Sequence, residues 1–237
     1  MARTVKENDY AVKRNEILDA AQRLVYTKGY EQMSIQDILN ELQISKGAFY
    51  HYFDSKGDLL EALIERMVQE AEPVILPIVQ DSQLPTLEKL HRFFDTSARW
   101  KTARKEYLLS LIKVWYADEN TVIRHKANAR MIKRFSAMLA DIIRQGVVEG
   151  VMTTAYPDQM ADMAFALLLA MGDTYMELIE SQPQYALQRA TDLSCAYNDA
   201  LERMLGTASG SLNLVDVAIL KEWFEPSPVA IMGNGHE

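Results

Sequence analysis

Apolar positions recur at helical spacing along most of the chain. Ile17, Ala20, Ala21, Leu24 and Val25 stand at i, i+3, i+4, i+7 and i+8, one face of a helix over about 11–27. Lys28-Gly29 closes it with a cation in the last turn and a glycine just past it. Ser34, with Asp37 three residues on, predicts the start of a short second helix whose apolar stripe is Ile35, Ile38, Leu39 and Leu42. Gln43-Ile44 interrupts that stripe. Ser45 then caps a third short helix, from Lys46 to about Phe53. After Asp54-Ser55 a fourth opens near Lys56, carrying Leu59, Leu60, Leu63, Ile64 and Met67 on one face.

Downstream, Pro73 and Pro77 predict a kink or an end to the fourth helix. Further helices are expected over 86–101, 106–117, 121–146, 157–180 and 184–205, with a turn region at 146–157 and a break at Gln182-Pro183. Leu212–Phe224 reads as one more amphipathic helix, and Glu225–Glu237, rich in Pro and Gly, reads as a fraying end. No alternating strand pattern and no internal repeat is present, so the fold class is all-α.

Composition narrows the function. The 237 residues, 49% hydrophobic and 24% charged, are enough for a sizeable core and argue against wholesale disorder. The single cysteine, Cys195, excludes an internal disulfide and a multi-cysteine zinc site, and its heptad-like setting predicts burial. Met1–Tyr10 is too polar for a secretory signal. The longest apolar run, Met163–Gly172, is too short for a bilayer, so the cytoplasm is the expected compartment. The chain has no GxGxxG, Walker A, GxSxG or HExxH pattern, and its four histidines are scattered. We therefore expect no enzyme, no catalytic or metal site and no cofactor. The net charge of -8 is uneven: residues 1–56 hold eight basic and eight acidic residues, leaving all of the excess to 57–237. Any contact with a polyanion belongs to the first quarter of the chain.

The chemistry lies in 34–60. Two short helices around a tight break form a helix-turn-helix pattern, whose second helix can enter a DNA major groove. Ile44 and Phe49 would face the core, leaving Lys46, Gly47, Ala48, Tyr50 and His51 outside. Lys56 and Ser34 each open a helix whose terminal N–H groups suit a phosphate. The same spacing also describes an ordinary helical hairpin with a polar surface.

The run Ser45-Lys46-Gly47-Ala48-Phe49-Tyr50-His51-Tyr52-Phe53-Asp54-Ser55-Lys56-Gly57-Asp58-Leu59-Leu60 resembles the signature of TetR-type transcriptional regulators. Ile17-Leu18-Asp19-Ala20-Ala21 with Gly29-Tyr30 is similar to that family's first helix, so the resemblance covers about residues 11–64. It implies a three-helix DNA-binding domain over 1–56, a larger helical ligand-binding and dimerisation domain over 57–206, and a linker, extra helix and flexible tail over 207–237. It further implies a homodimeric repressor, bound to palindromic double-stranded operator DNA and released by a small-molecule effector. By matching positions, Lys46, Gly47 and Ala48 face bases. Ser45, Tyr50, His51 and Lys56 meet phosphates, with Ser34 a further candidate, and Tyr52 is either a phosphate contact or a core edge. Gln43 stands where the family often has a small residue, and Gly57 where an acid is common.

For the effector, Trp100, Trp115, Phe135, Met138, Phe165, Met171 and Tyr175 are bulky residues on the middle helices, with Asp173 an acid beside an apolar run. All are candidate ligand contacts, and all equally suit plain core packing. The expected dimer is a four-helix bundle of 158–180 and 184–205 with their copies, with Leu201 and Met204 at the seam. The rival reading is a helical small-molecule-binding protein without DNA binding.

Overall fold

A computed structural model describes residues 2–224. Among these residues all regular structure is helical: α1 (Ala2–Lys28), α2 (Ile35–Leu42), α3 (Lys46–Tyr50), α4 (Lys56–Gln80), α5 (Thr86–Thr102), α6 (Lys105–Tyr116), α7 (Thr121–Val148), α8 (Pro157–Ser181), α9 (Ala186–Leu205) and α10 (Val217–Phe224), with a 3₁₀ turn at Asp118–Asn120. The expected tail at Glu225–Glu237 lies outside the described residues.

The chain forms two compact units. Among the described residues, the first comprises 2–70 and 104–127, the second 71–103 and 128–224. The contacts thus divide differently from the boundary expected at residue 56. Leu59, Leu60, Leu63 and Ile64 of α4 pack with Ile17, Leu18, Ala21, Ile38 and Phe49, and so do Tyr107, Leu111 and Val114 of α6. Burying that stripe of α4 is what completes the core of the three N-terminal helices.

Of the kink or end expected at Pro73 and Pro77, the end does not occur: α4 runs on through both prolines to Gln80. Both prolines are exposed and four residues apart, on one side of the helix. The carbonyls they leave unpaired therefore face water, where the loss of a helical bond costs least. α3 is shorter than expected, ending at Tyr50, and α1 begins at Ala2 rather than at about residue 11.

In the second unit, α8 packs on α9 on one side and on α7 on another. Tyr197 donates to the Ala164 carbonyl at 3.0 Å, and the Phe135 and Phe165 rings stack at 5.7 Å. The segment after α9 is tied down rather than a free linker. The buried Glu202 carboxylate accepts from the backbone N–H groups of Gly210 (2.9 Å) and Leu212 (2.8 Å), and Leu212, Leu214, Ile219 and Leu220 are buried. The Trp223 indole then donates to Thr102 Oγ1 at 2.8 Å, fixing α10 to α5.

Candidate nucleic-acid interface

Capping builds the helix pair. The Ser34 hydroxyl accepts from the Asp37 N–H, and the Asp37 carboxylate accepts from the Ser34 N–H at 2.7 Å, a reciprocal capping box. Lys28 pairs with Asp37 at 2.5 Å, and with the Ser34 bonds it holds the Asp37 carboxyl well below the usual carboxylate range. A depressed folded-state pKa contributes stability that is present above the unfolded value, near pH ~4, and lost as pH falls through the folded value. Chemical denaturation of Asp37→Asn against the parent should therefore show a constant deficit at neutral pH that closes in acid. A deficit that persists unchanged into strong acid would remove Asp37 from this role.

The turn solves a backbone problem with an unusual residue. Gln43 itself adopts the left-handed conformation, φ 53° and ψ 41°, where the family pattern often places a small residue. Its side-chain amide donates to the Asn40 carbonyl at 2.6 Å, and the Ile44 N–H donates to Leu39 O at 3.1 Å. The Leu39 and Asn40 carbonyls are thereby satisfied, and half-buried Ile44 packs on the core as expected.

Ser45 caps α3 by accepting from the Ala48 N–H at 3.1 Å. Phe49 is 0% exposed and pins one side of this five-residue helix. Ser45, Lys46, Gly47, Tyr50 and His51 are exposed, and Ala48 and Tyr52 are half-buried. Tyr52 packs on the core cluster. The Lys46 ammonium lies 5.9 Å from the centre of the Tyr50 ring. A Cβ added at Gly47 would meet nothing nearer than Ser45 Oγ at 3.9 Å, so no neighbour in the protein demands glycine there.

Ser34 and Lys56 are more occupied than their positions in the sequence suggest. The Ser34 hydroxyl also bonds Asp37 Oδ2 at 2.6 Å. Lys56 reaches back to the Glu31 carbonyl at 3.3 Å and sits 4.4 Å over the Tyr30 ring, while the Tyr30 hydroxyl donates to the Lys56 carbonyl at 2.6 Å. Burial lowers the Lys56 pKa and raises that of the Tyr30 phenol. Lys56 is thus a clip between α4 and the turn that follows α1 as well as a surface cation. Sequence reasoning read Lys28 only as the cation that closes α1 and missed its pairing with Asp37, and it missed Arg14, whose guanidinium lies 4.7 Å from the Phe53 ring centre. The signal for Arg14 was the α1 stripe continuing upstream of Ile17.

The family model of bacterial regulatory proteins of the tetR family matches residues 17–63, the region just described, and a tetracyclin repressor-like C-terminal domain model matches 110–180. The chain belongs to the TetR family. An uncharacterised HTH-type regulator from the lacX 3′ region of Lactococcus lactis subsp. lactis is 46% identical over 56 residues, 24% of this chain and 29% of that relative. A second relative, YuxN of Bacillus subtilis, is likewise spanned over only 25% of its length. The fold extends further than the identity does. A TetR regulator from Haloarcula marismortui superposes with a TM-score of 0.61 at 20% identity, over 80% of this chain and 98% of that one. The SmeT–triclosan complex does so with 0.57 at 18%, over 86% and 98%.

The eight candidate effector residues of this TetR-family chain are divided between the two units. Trp115 lies in the first unit, against the N-terminal core cluster, whereas the other seven lie in the second. Phe135, Met138, Phe165 and Met171 are buried there. Tyr175 bonds the Ser194 hydroxyl at 2.5 Å and meets the Phe224 ring edge-on, and Trp100 and Asp173 are half-buried. An open cleft of about 370 Å³ between α7 and α8 is lined instead by Ala129, Ile132, Lys133, Ser136, Ala137, Ala140, Asp158 and Asp162. Two expectations are corrected. Cys195 is exposed, because it falls on the outer side of α9. Leu201 is 2% exposed within the chain, so it is core rather than a free seam residue. Among the described residues no helix is long and apolar enough to cross a membrane, and no group of His, Cys, Asp and Glu could hold a metal.

Proposed function

We propose that this chain is a cytoplasmic DNA-binding transcriptional repressor. In this reading it acts as a homodimer on a palindromic double-stranded operator, performs no catalysis, and leaves DNA when a small-molecule effector binds its C-terminal domain. The observation that carries the reading is the surface of α3: Lys46, Gly47, Tyr50 and His51 are exposed on a helix pinned from within by Phe49. A cation beside a glycine that no internal contact requires suits close approach to a groove. Ser45, Ser34 and Lys56 supply helix-terminal donors and charge for phosphates. The family's regulators and the SmeT relative with triclosan support an effector-responsive switch, and an apolar aromatic compound is the class to test first.

The test is selection of a binding site from random duplexes, followed by anisotropy titration at fixed salt. Lys46→Ala should weaken the selected site by roughly tenfold or more, the size of one lost base contact. Gly47→Ala should separate folding from binding. It should stabilise α3 by up to about 1 kcal/mol, because alanine is the better helix former, and still weaken DNA binding. Parent-like affinity in both variants would take α3 out of the DNA interface. Failure of the parent to select any site would favour the small-molecule-binding protein without DNA contact.

The dimer reading rests on α8. Met163 and Leu167 are 53% and 42% exposed, and with exposed Ala166 and Ala170 they form an apolar stripe that the single chain leaves uncovered. Burial of this stripe against a second copy gives two reading heads related by a two-fold axis.

A further inference from the structure

We propose that Tyr10 is a positioning residue for the reading head, an inference that rests on the DNA-binding function proposed above. α3 has only five residues, so its own hydrogen bonds do little to fix its far end. That end carries His51, whose backbone N–H closes the helix onto the Gly47 and Phe49 carbonyls, and is followed by Tyr52. Three rings meet there. Tyr10 lies 5.7 Å from His51, edge to face, and 4.8 Å from Tyr52, and His51 lies 5.0 Å from Tyr52.

Tyr10 reaches this place because α1 is longer than its buried stripe. Positions 10, 14, 17 and 21 follow one face of the helix. Ile17 and Ala21 are buried in the core, Arg14 covers the Phe53 ring, and Tyr10, one turn further out, covers His51 and Tyr52. It stands seven residues before the first residue matched by the family model. With 40% of its surface exposed, Tyr10 contributes little to the core. Its contacts fall on the imidazole that the family resemblance matches to a phosphate contact and that is exposed on the proposed reading surface. The ring limits the orientations open to that imidazole in the free protein, so less freedom is lost when DNA binds.

The experiment is a double-mutant cycle on the full chain, read by anisotropy on the selected duplex, with thermal melts of every variant. Tyr10→Ala should weaken binding roughly tenfold, the scale of two aromatic ring contacts, with a melting point near the parent's. Tyr10→Phe keeps the ring and should bind like the parent. Tyr10→Ala combined with His51→Ala should bind no worse than His51→Ala alone, because Tyr10 acts through His51. Parent-like binding by Tyr10→Ala, or losses that simply add with His51→Ala, would overturn the proposal. A Tyr10→Phe variant as weak as Tyr10→Ala would also overturn it, by making the hydroxyl a direct DNA contact. If the parent and every variant fail to bind any duplex, the DNA-binding reading itself has failed. If the parent binds and Lys46→Ala weakens it while Tyr10→Ala does not, only this inference has.

Discussion

Leu167→Glu should turn the protein into a monomer that binds its operator roughly 10²–10⁴-fold more weakly, the range by which linking two sites exceeds one. Leu167 is exposed in the single chain, on the α8 stripe of Met163, Ala166 and Ala170. A carboxylate there costs the fold little but would have to be stripped of water in a bundle seam. Leu201→Glu cannot serve the same purpose. That side chain is already inside the second unit, and its replacement would unfold α8 and α9 rather than separate the copies of a dimer. Light scattering gives the mass of each variant and circular dichroism its helicity. A folded Leu167→Glu dimer with parent-like DNA affinity would move the seam away from α8.

The helix-turn-helix was legible in the sequence because short-range chemistry decides it. Ser34 with Asp37, Ser45 before Lys46, and Ile44 between two polar positions each act within one turn of helix, and the structure places them as read. Gln43 shows how far such reading goes. A left-handed residue was required by the turn, but the amide bond to Asn40 that accompanies a glutamine there depends on the folded geometry. Contacts between elements distant in sequence were not legible. Lys28 pairs with Asp37 only because α1 and α2 cross, and α6 joins the N-terminal core across a gap in sequence. Helical periodicity identified α8 as a helix over 157–180. It did not say which arc meets which neighbour: Phe165 went to α7, Ala164 to α9, and Met163 and Leu167 to the surface. The same limit explains the candidate effector residues. A bulky residue on a middle helix can line a cavity or fill a core, and its spacing is identical in both cases.

Phe135→Ala should cost the second unit about 3–5 kcal/mol, the usual range for removing a buried aromatic ring. Phe135 is buried, and its ring stacks on Phe165 at an interplanar angle of 16°. Truncation removes both the transfer energy and the stacking contact, and leaves an apolar void beside Phe165. A void of that kind stays dry and accepts a small aromatic molecule, so benzene should raise the melting temperature of Phe135→Ala and leave the parent's unchanged. Thermal melts with and without benzene read both effects. Phe135→Leu, which keeps most of the volume, should lose far less. The comparison decides between core and effector wall. If Phe135 is core, any change in effector release of DNA will track the loss of stability across Ala and Leu. If Phe135→Ala instead melts like the parent and no longer releases DNA with an apolar aromatic effector, the ring faces an occupied space rather than a packed one. In that case the effector site lies between α7 and α8 at Phe135, and the Phe135–Phe165 stack is its closed, ligand-free form.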